Sequence, residues 1–186
     1  MNIPNLITVF RLLVIPIFVI AFYWPTHYSF YISALVFALA AFTDWLDGYL
    51  ARRLNQVSSL GAFLDPVADK LMVAVALVLL VDAYSTPYLA LPAAIIIGRE
   101  IAISALREWM AELGQSKKVA VSYLGKLKTA SQMLAIILLL SQNPKHPTIL
   151  GSFGFVLLYL AVLLTLASMF MYLRAAWEQV KKASHP

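Results

Sequence analysis

The chain alternates between long uncharged stretches and short breaks that carry proline or charge. Six apolar stretches stand out, at about Leu6–Trp24, Ser29–Leu50, Leu60–Val81, Tyr88–Met110, Val121–Gln142 and Ile149–Leu173. Each approaches the roughly 20 residues that an α-helix needs to cross a bilayer. The breaks have local causes. Pro25, Pro87, Pro144 and Pro147 interrupt helical hydrogen bonding, and Gly114 suits the C-cap of the fourth stretch. Pro16 and Pro92 fall inside stretches, where a membrane helix tolerates a kink. The pattern predicts an all-α, integral membrane bundle of six transmembrane helices.

Composition supports a membrane protein. Of 186 residues, 62% are hydrophobic and 12% charged, with mean hydropathy +0.82. A soluble domain carries about 25% charged residues. No polar segment is long enough for a second domain, so residues 1–186 read as one membrane domain, and no removable signal peptide is read at the N-terminus. Cysteine is absent, which excludes disulfides, thiolate zinc sites and cysteine nucleophiles. The net charge of +5 points to an anionic lipid leaflet rather than to nucleic acid.

Charge also predicts orientation. The 51–59 turn carries Arg52 and Arg53, the 111–120 turn Lys117 and Lys118, and the tail Arg174, Lys181 and Lys182; the opposite turns hold only Lys145. The positive-inside rule then places both termini in the cytoplasm. Tyr23, Trp24, Tyr28, Tyr84 and Tyr88 would form the outer aromatic belt, and the basic end from Tyr172 to Lys182 would lie at the inner leaflet.

With this topology, Arg11, Asp44, Asp47, Asp65, Asp69, Arg99, Arg107, Glu108, Lys126 and Lys128 share the inner half of the bundle. Charge in hydrocarbon is costly, so the grouping predicts a polar cavity open to the cytoplasm. Asp44 and Asp47 are i,i+3 neighbours on one helix, and Asp65 and Asp69 are i,i+4 neighbours on the next. Clustered hard oxygen donors favour Mg²⁺, Mn²⁺ or Ca²⁺ over softer metals. Two carboxylate pairs across a helix hairpin suit a site for two divalent cations and phosphoryl-group chemistry.

Arg99 and Arg107 lie eight residues apart, about 12 Å of helical rise and nearly one face. With Lys126 they could hold an anionic phosphate, since arginine offers a planar fork and lysine a point charge. Pairing with Glu100, Glu108 and the aspartates is the structural alternative. Lys128 reads as interfacial. Gly48, Ala51 and Gly61 read as close helix packing, and Arg52 as a snorkelling cation. Asn5, Thr8 and Arg11 could cap and anchor the first helix. His27, His146 and His185 are scattered, and no nucleophile elbow, Walker loop or dinucleotide fingerprint occurs.

The segment DWLDGYLARRLNQVSSLGAFLDPVADK carries the spacing D-x2-D-G-x2-A-R-x8-G-x3-D-x3-D at all eight fixed positions. It resembles the signature of the CDP-alcohol phosphotransferases. The segments NIPNLITVFRLLVIP, GREIAISALREWMAELG and GKLKTASQM are similar to the branch of that family that uses glycerol phosphate. The resemblance implies transfer of a phosphatidyl group from CDP-diacylglycerol to sn-glycerol 3-phosphate, by a homodimer. It implies that Asp44, Asp47 and Asp65 hold the metals, with Asp69 as base and possible fourth ligand. It also sets Gly48, Ala51, Gly61 and Arg52 around the nucleotide of CDP-diacylglycerol, a pocket that Asn5, Thr8 and Arg11 could close. A sister enzyme using serine, inositol phosphate or phosphatidylglycerol is the nearest rival; a cation transporter is a remote one. Transporters place such acids at the midplane of repeated halves, and no halves repeat here.

Overall fold

The computed structural model describes residues 3–54, 59–112, 123–146 and 148–183. Side chains are described for the same residues except 3–9, 44–54, 59–63, 65, 107, 111–112, 123–124, 126, 175–176 and 178–183. The described chain is entirely helical: α1 (Ile3–Tyr23), α2 (Ser29–Leu54), α3 (Ser59–Tyr84), α4 (Pro87–Glu112), α5 (Tyr123–Leu140) and α6 (Ile149–Ala183). The six expected stretches correspond to these six helices. Two extend further than expected. Arg52 and Arg53 belong to α2 rather than to a turn, and α6 continues through the basic tail. Cations in a last helical turn complement the negative end of the helix dipole, which favours the extension of α2. Gly114 lies outside the described residues.

The turns at one end show why the helices stop. Ser85 adopts φ 48°, the left-handed conformation common just past a helix C-terminus, and its N–H donates to Val81 O at 2.9 Å. Pro87 then opens α4, a position where its missing N–H costs nothing. At the start of α6, Thr148 Oγ1 accepts from the Gly151 N–H at 3.2 Å, an N-cap. Pro16, Pro66 and Pro92 all sit inside continuous helices.

The bundle is apolar on its outside. Phe10, Leu13, Ile17 and Ile20 form an exposed stripe on α1, and Tyr31, Leu35, Leu39 and Phe42 another on α2. Val156, Leu163 and Phe170 do the same on α6. Such surface suits lipid rather than water. Among the described residues, Pro87–Met110 and Ile149–Arg174 are long and apolar enough to cross a membrane, and Phe10–Tyr23, Ser29–Thr43 and Leu127–Leu140 are shorter apolar helical stretches. The interior core runs through Phe18, Phe37, Leu77, Leu80, Ile96, Ile136, Leu139 and Leu158. Helices α5 and α6 pack closely on each other. A Cβ at Gly154 would stand 3.0 Å from Leu139 Cγ, so this glycine permits the contact.

The expected aromatic belt collects at the end that holds the α1–α2 and α3–α4 turns. Tyr23, Trp24, Tyr28 and Tyr88 are exposed there, and the Tyr23 hydroxyl donates to Asp82 Oδ2 at 2.8 Å. Tyr84 is half-buried and donates to Leu139 O at 3.3 Å, tying α3 to α5.

Candidate functional site

Away from that end, polar side chains from five helices turn inward. Arg11 of α1 is 3% exposed, and its Nη1 donates to Asp69 Oδ1 of α3 at 2.6 Å. Burying an arginine this deeply requires a partner, and the carboxylate supplies one. Phe37, Ala40, Met72, Val73 and Met133 pack around the pair. Asp69 itself is 36% exposed, so its carboxylate is not sealed into the core.

A second cluster joins α4, α5 and α6. Glu100 Oε1 accepts from Arg99 Nη1 at 3.0 Å and from Lys128 Nζ. Arg99 Nη2 donates to Ser168 Oγ at 2.6 Å, and Ser168 Oγ bonds in turn to Thr165 O at 2.9 Å. Lys70, next to Asp69 on α3, donates to Ser104 Oγ, whose hydroxyl donates to Glu100 O at 2.6 Å. The Glu100 carboxylate is therefore the hub for two buried cations, and its backbone carbonyl anchors the Ser104 hydroxyl that accepts from Lys70.

Between the clusters lies a cavity of ≈ 320 Å³. Asp69 and Lys70 contribute from α3, Glu100 from α4, and Lys128, Thr129 and Gln132 from α5, with Pro66, Val73 and Met133 as its apolar wall. One space thus combines a carboxylate able to accept a proton, ammonium groups able to face an anion, and an amide. That composition, with Asp69 and Glu100 set against Lys70 and Lys128, suits a small polar ligand.

The expected site residues divide into two groups. Asp69 and Arg99 have described side chains, and both belong to this polar region. Arg99, expected to face a phosphate, has its guanidinium engaged by Glu100 and Ser168. For the others the helix is described but the side chain lies outside the described set. Asn5 and Thr8 are on α1; Asp44, Asp47, Gly48, Ala51 and Arg52 on α2; Gly61 and Asp65 on α3; Arg107 on α4; Lys126 on α5. The helical backbone at 44–47 and 65–69 preserves the one-turn spacing within each aspartate pair, and α2 packs on α3. The donor set therefore fits hard divalent cations chemically: all four positions offer carboxylates on adjoining helices. Among the described residues no three potential ligands converge.

Lys128 departs from its sequence expectation. It is 5% exposed and pairs with Glu100 rather than lying at an interface. Glu100, Ser104, Gln132 and Ser168 were not singled out as site residues. The i,i+4 pairs Glu100/Ser104 and Lys128/Gln132 were the available signal, each setting two polar groups on one face of a helix.

Comparison with known proteins matches residues 1–167 to a family described as CDP-alcohol phosphatidyltransferase. A Pseudomonas fluorescens protein named CDP-diacylglycerol–glycerol-3-phosphate 3-phosphatidyltransferase is 59% identical over 182 residues, covering 97% of this chain and 93% of that protein. Proteins of the same name are 53% identical in Yersinia enterocolitica, over 97% of both chains, and 54% identical in Pectobacterium atrosepticum, over 94% of both.

Proposed function

Because the chain belongs to the CDP-alcohol phosphatidyltransferase family, we propose that it transfers the phosphatidyl group of CDP-diacylglycerol to sn-glycerol 3-phosphate, giving phosphatidylglycerophosphate and CMP. The observation that carries this reading is the full-length similarity, 53–59% identity, to relatives named for that reaction. The cavity beside Asp69 is compatible with it, since it combines a carboxylate with cations suited to a phosphorylated alcohol.

Asp69 takes the proton from the primary hydroxyl of glycerol phosphate. That oxygen attacks the lipid-bearing phosphorus, the new O–P bond forms, and the bond to the bridging oxygen of CMP breaks. CMP leaves with that oxygen and its electron pair. Arg11, 2.6 Å from Asp69 Oδ1, fixes the direction of the carboxylate. Arg99, Arg107 and Lys126 hold the acceptor phosphate in line, the proximity contribution to rate. Arg99 would exchange Glu100 for phosphate as it does so. Asn5, Thr8, Gly48, Ala51, Arg52 and Gly61 surround the cytidine diphosphate. Asp44, Asp47 and Asp65, with Asp69, would hold two divalent cations, Mg²⁺ or Mn²⁺, which when bound neutralise pyrophosphate charge as Lewis acids.

We place this single membrane domain in the bacterial cytoplasmic membrane as a homodimer, with the cavity open to the cytoplasm. A cytoplasmic opening at bilayer depth lets one site meet a lipid and a water-soluble acceptor together. The acceptor assignment is tested with purified protein and CDP-diacylglycerol against glycerol 3-phosphate, inositol phosphate, serine and phosphatidylglycerol. Product mass should show phosphatidylglycerophosphate as the main lipid formed; preferential use of another acceptor would move the chain to a sister activity.

A further inference from the structure

A second cavity, of ≈ 260 Å³, lies between α3 and α4 and has no role in the mechanism above. Val67, Leu71 and Ala74 line it from α3, and Ile97 and Ile101 from α4. Leu71 is 45% and Ile101 64% exposed, so the lining offers apolar surface that a ligand can reach. From Val67 to Ala74 this groove follows α3 for about 10 Å. Lys70, Val73 and Glu100 line both the groove and the polar cavity beside Asp69, so the two spaces adjoin.

The chemistry of the occupant follows from the ends of the groove. Its lining is apolar except at Lys70 and Glu100, where it meets the polar cavity. An ammonium has three donors and Ser104 Oγ takes one from Lys70, which leaves donors suited to an ester carbonyl. Ala74 lies one turn beyond Lys70, toward the end of α3 where the aromatic belt gathers. A molecule that fills both spaces therefore has a polar head level with Asp69 and an apolar tail directed into the bundle. That is the order of head and tail in a phospholipid lying in a bilayer. The exposed apolar stripes of α1 and α6 line neither space, so they meet bulk lipid without selecting a molecule. An apolar face of a second copy seated here would cover the charged groups of Lys70 and Glu100, which is costly.

We infer that the groove between α3 and α4 holds one acyl chain of the lipid substrate while its phosphorylated head occupies the cavity beside Asp69. The inference rests on the proposed reaction, in which that lipid is CDP-diacylglycerol, and adds the place of its tail. The groove is also the lateral route by which the lipid reaches the site without leaving the bilayer. A chain that moves from bilayer into groove exchanges hydrocarbon for hydrocarbon, so the groove orients the lipid more than it tightens binding. Orientation is what the reaction needs, since the phosphorus must stand in line with the attacking hydroxyl.

The test uses full-length protein in phosphatidylcholine nanodiscs and CDP-diacylglycerol with a photoreactive diazirine midway along one acyl chain. After irradiation, mass spectrometry should find the label on α3 between Val67 and Ala74 and on α4 between Ile97 and Ile101. Unlabelled CDP-diacylglycerol should compete it away, and extra phosphatidylcholine should not. Label spread over the α1 and α6 stripes, or indifferent to the competitor, would overturn the inference. Ala74→Trp, which fills the groove, should lower kcat/KM with CDP-dioleoylglycerol roughly 5- to 150-fold, the cost of forcing a chain into occupied space. The loss should be much smaller with CDP-dihexanoylglycerol, whose short chains reach less of the groove; equal losses would make Ala74 structural and refute the assignment. Should Ala74→Trp fail to fold, the labelling of the wild type still decides. The chain has no cysteine, so Ile101→Cys can also be oxidised cleanly, and a disulfide-linked dimer would give the groove to a second copy instead. CMP release from the probe with glycerol 3-phosphate separates the two failures. Without it the proposed reaction falls and this inference with it; with it, label outside α3 and α4 overturns the groove alone.

Discussion

Glu100 joins Arg99 and Lys128, so removing its charge has a calculable consequence. Glu100→Gln leaves Arg99, 8% exposed, and Lys128, 5% exposed, without the carboxylate that each contacts. Breaking a buried ion pair from one side costs about 3–5 kcal/mol, because the remaining charge stays desolvated. The Glu100 side chain is 25% exposed, so the lower end, ~3 kcal/mol, is the better expectation. For a chain of this size each kcal/mol shifts Tm by about 2–4 °C, giving a fall of roughly 6–12 °C. Lys128→Met should also destabilise. The double variant Glu100→Gln/Lys128→Met should be less unstable than the summed single losses, with a coupling of about 0.5–3 kcal/mol. Thermal unfolding of the four proteins in one detergent measures the cycle. Strict additivity would mean that the two side chains do not act as a pair, and Glu100 would lose its place as the hub.

Three further outcomes follow from the proposed site and topology. Asp69→Asn should slow the chemical step by ~10²–10⁴-fold while metal and CDP-diacylglycerol still bind; recovery near the wild-type rate in excess Mg²⁺ would make Asp69 a ligand instead of a base. Arg107→Ala should raise the KM for glycerol phosphate roughly 10- to 150-fold, the loss of a charge-assisted hydrogen bond, with little change for CDP-diacylglycerol; equal effects on both would assign Arg107 a structural role. Ser116→Cys should react with an impermeant thiol reagent from the cytoplasmic side alone and Thr86→Cys from the outer side alone, and the reverse labelling would invert the bundle.

The helices were legible because their limits have local causes. Proline at 25 and 87 and polar turn residues fix where apolar runs end, so all six helices were expected, with most of their ends within a few residues. The two extensions were missed for a shared reason: Arg52, Arg53 and the lysines near the end of α6 look like loop charge, but long cationic side chains reach the interface from within a helix. In the site, Asp69 was legible because a carboxylate in an apolar chain demands explanation. Lys128 was not, because a lysine early in a helix suits an interface as well as a core; the position of Glu100 on α4 gives it a partner inside the bundle. Gln132 carries no charge and leaves no trace in a hydropathy pattern. The fold places it in the cavity wall, one turn beyond Lys128 on α5.

The central claim is metal-dependent phosphatidyl transfer to glycerol phosphate, and its most direct measurement is CMP release by the purified protein. CDP-diacylglycerol, glycerol 3-phosphate and Mg²⁺ together should yield CMP and phosphatidylglycerophosphate in equal amounts. Omitting the acceptor or adding EDTA should stop both, and restoring Mg²⁺ should revive both. Full turnover in EDTA, or CMP released without a matching phosphorylated lipid, would contradict the account.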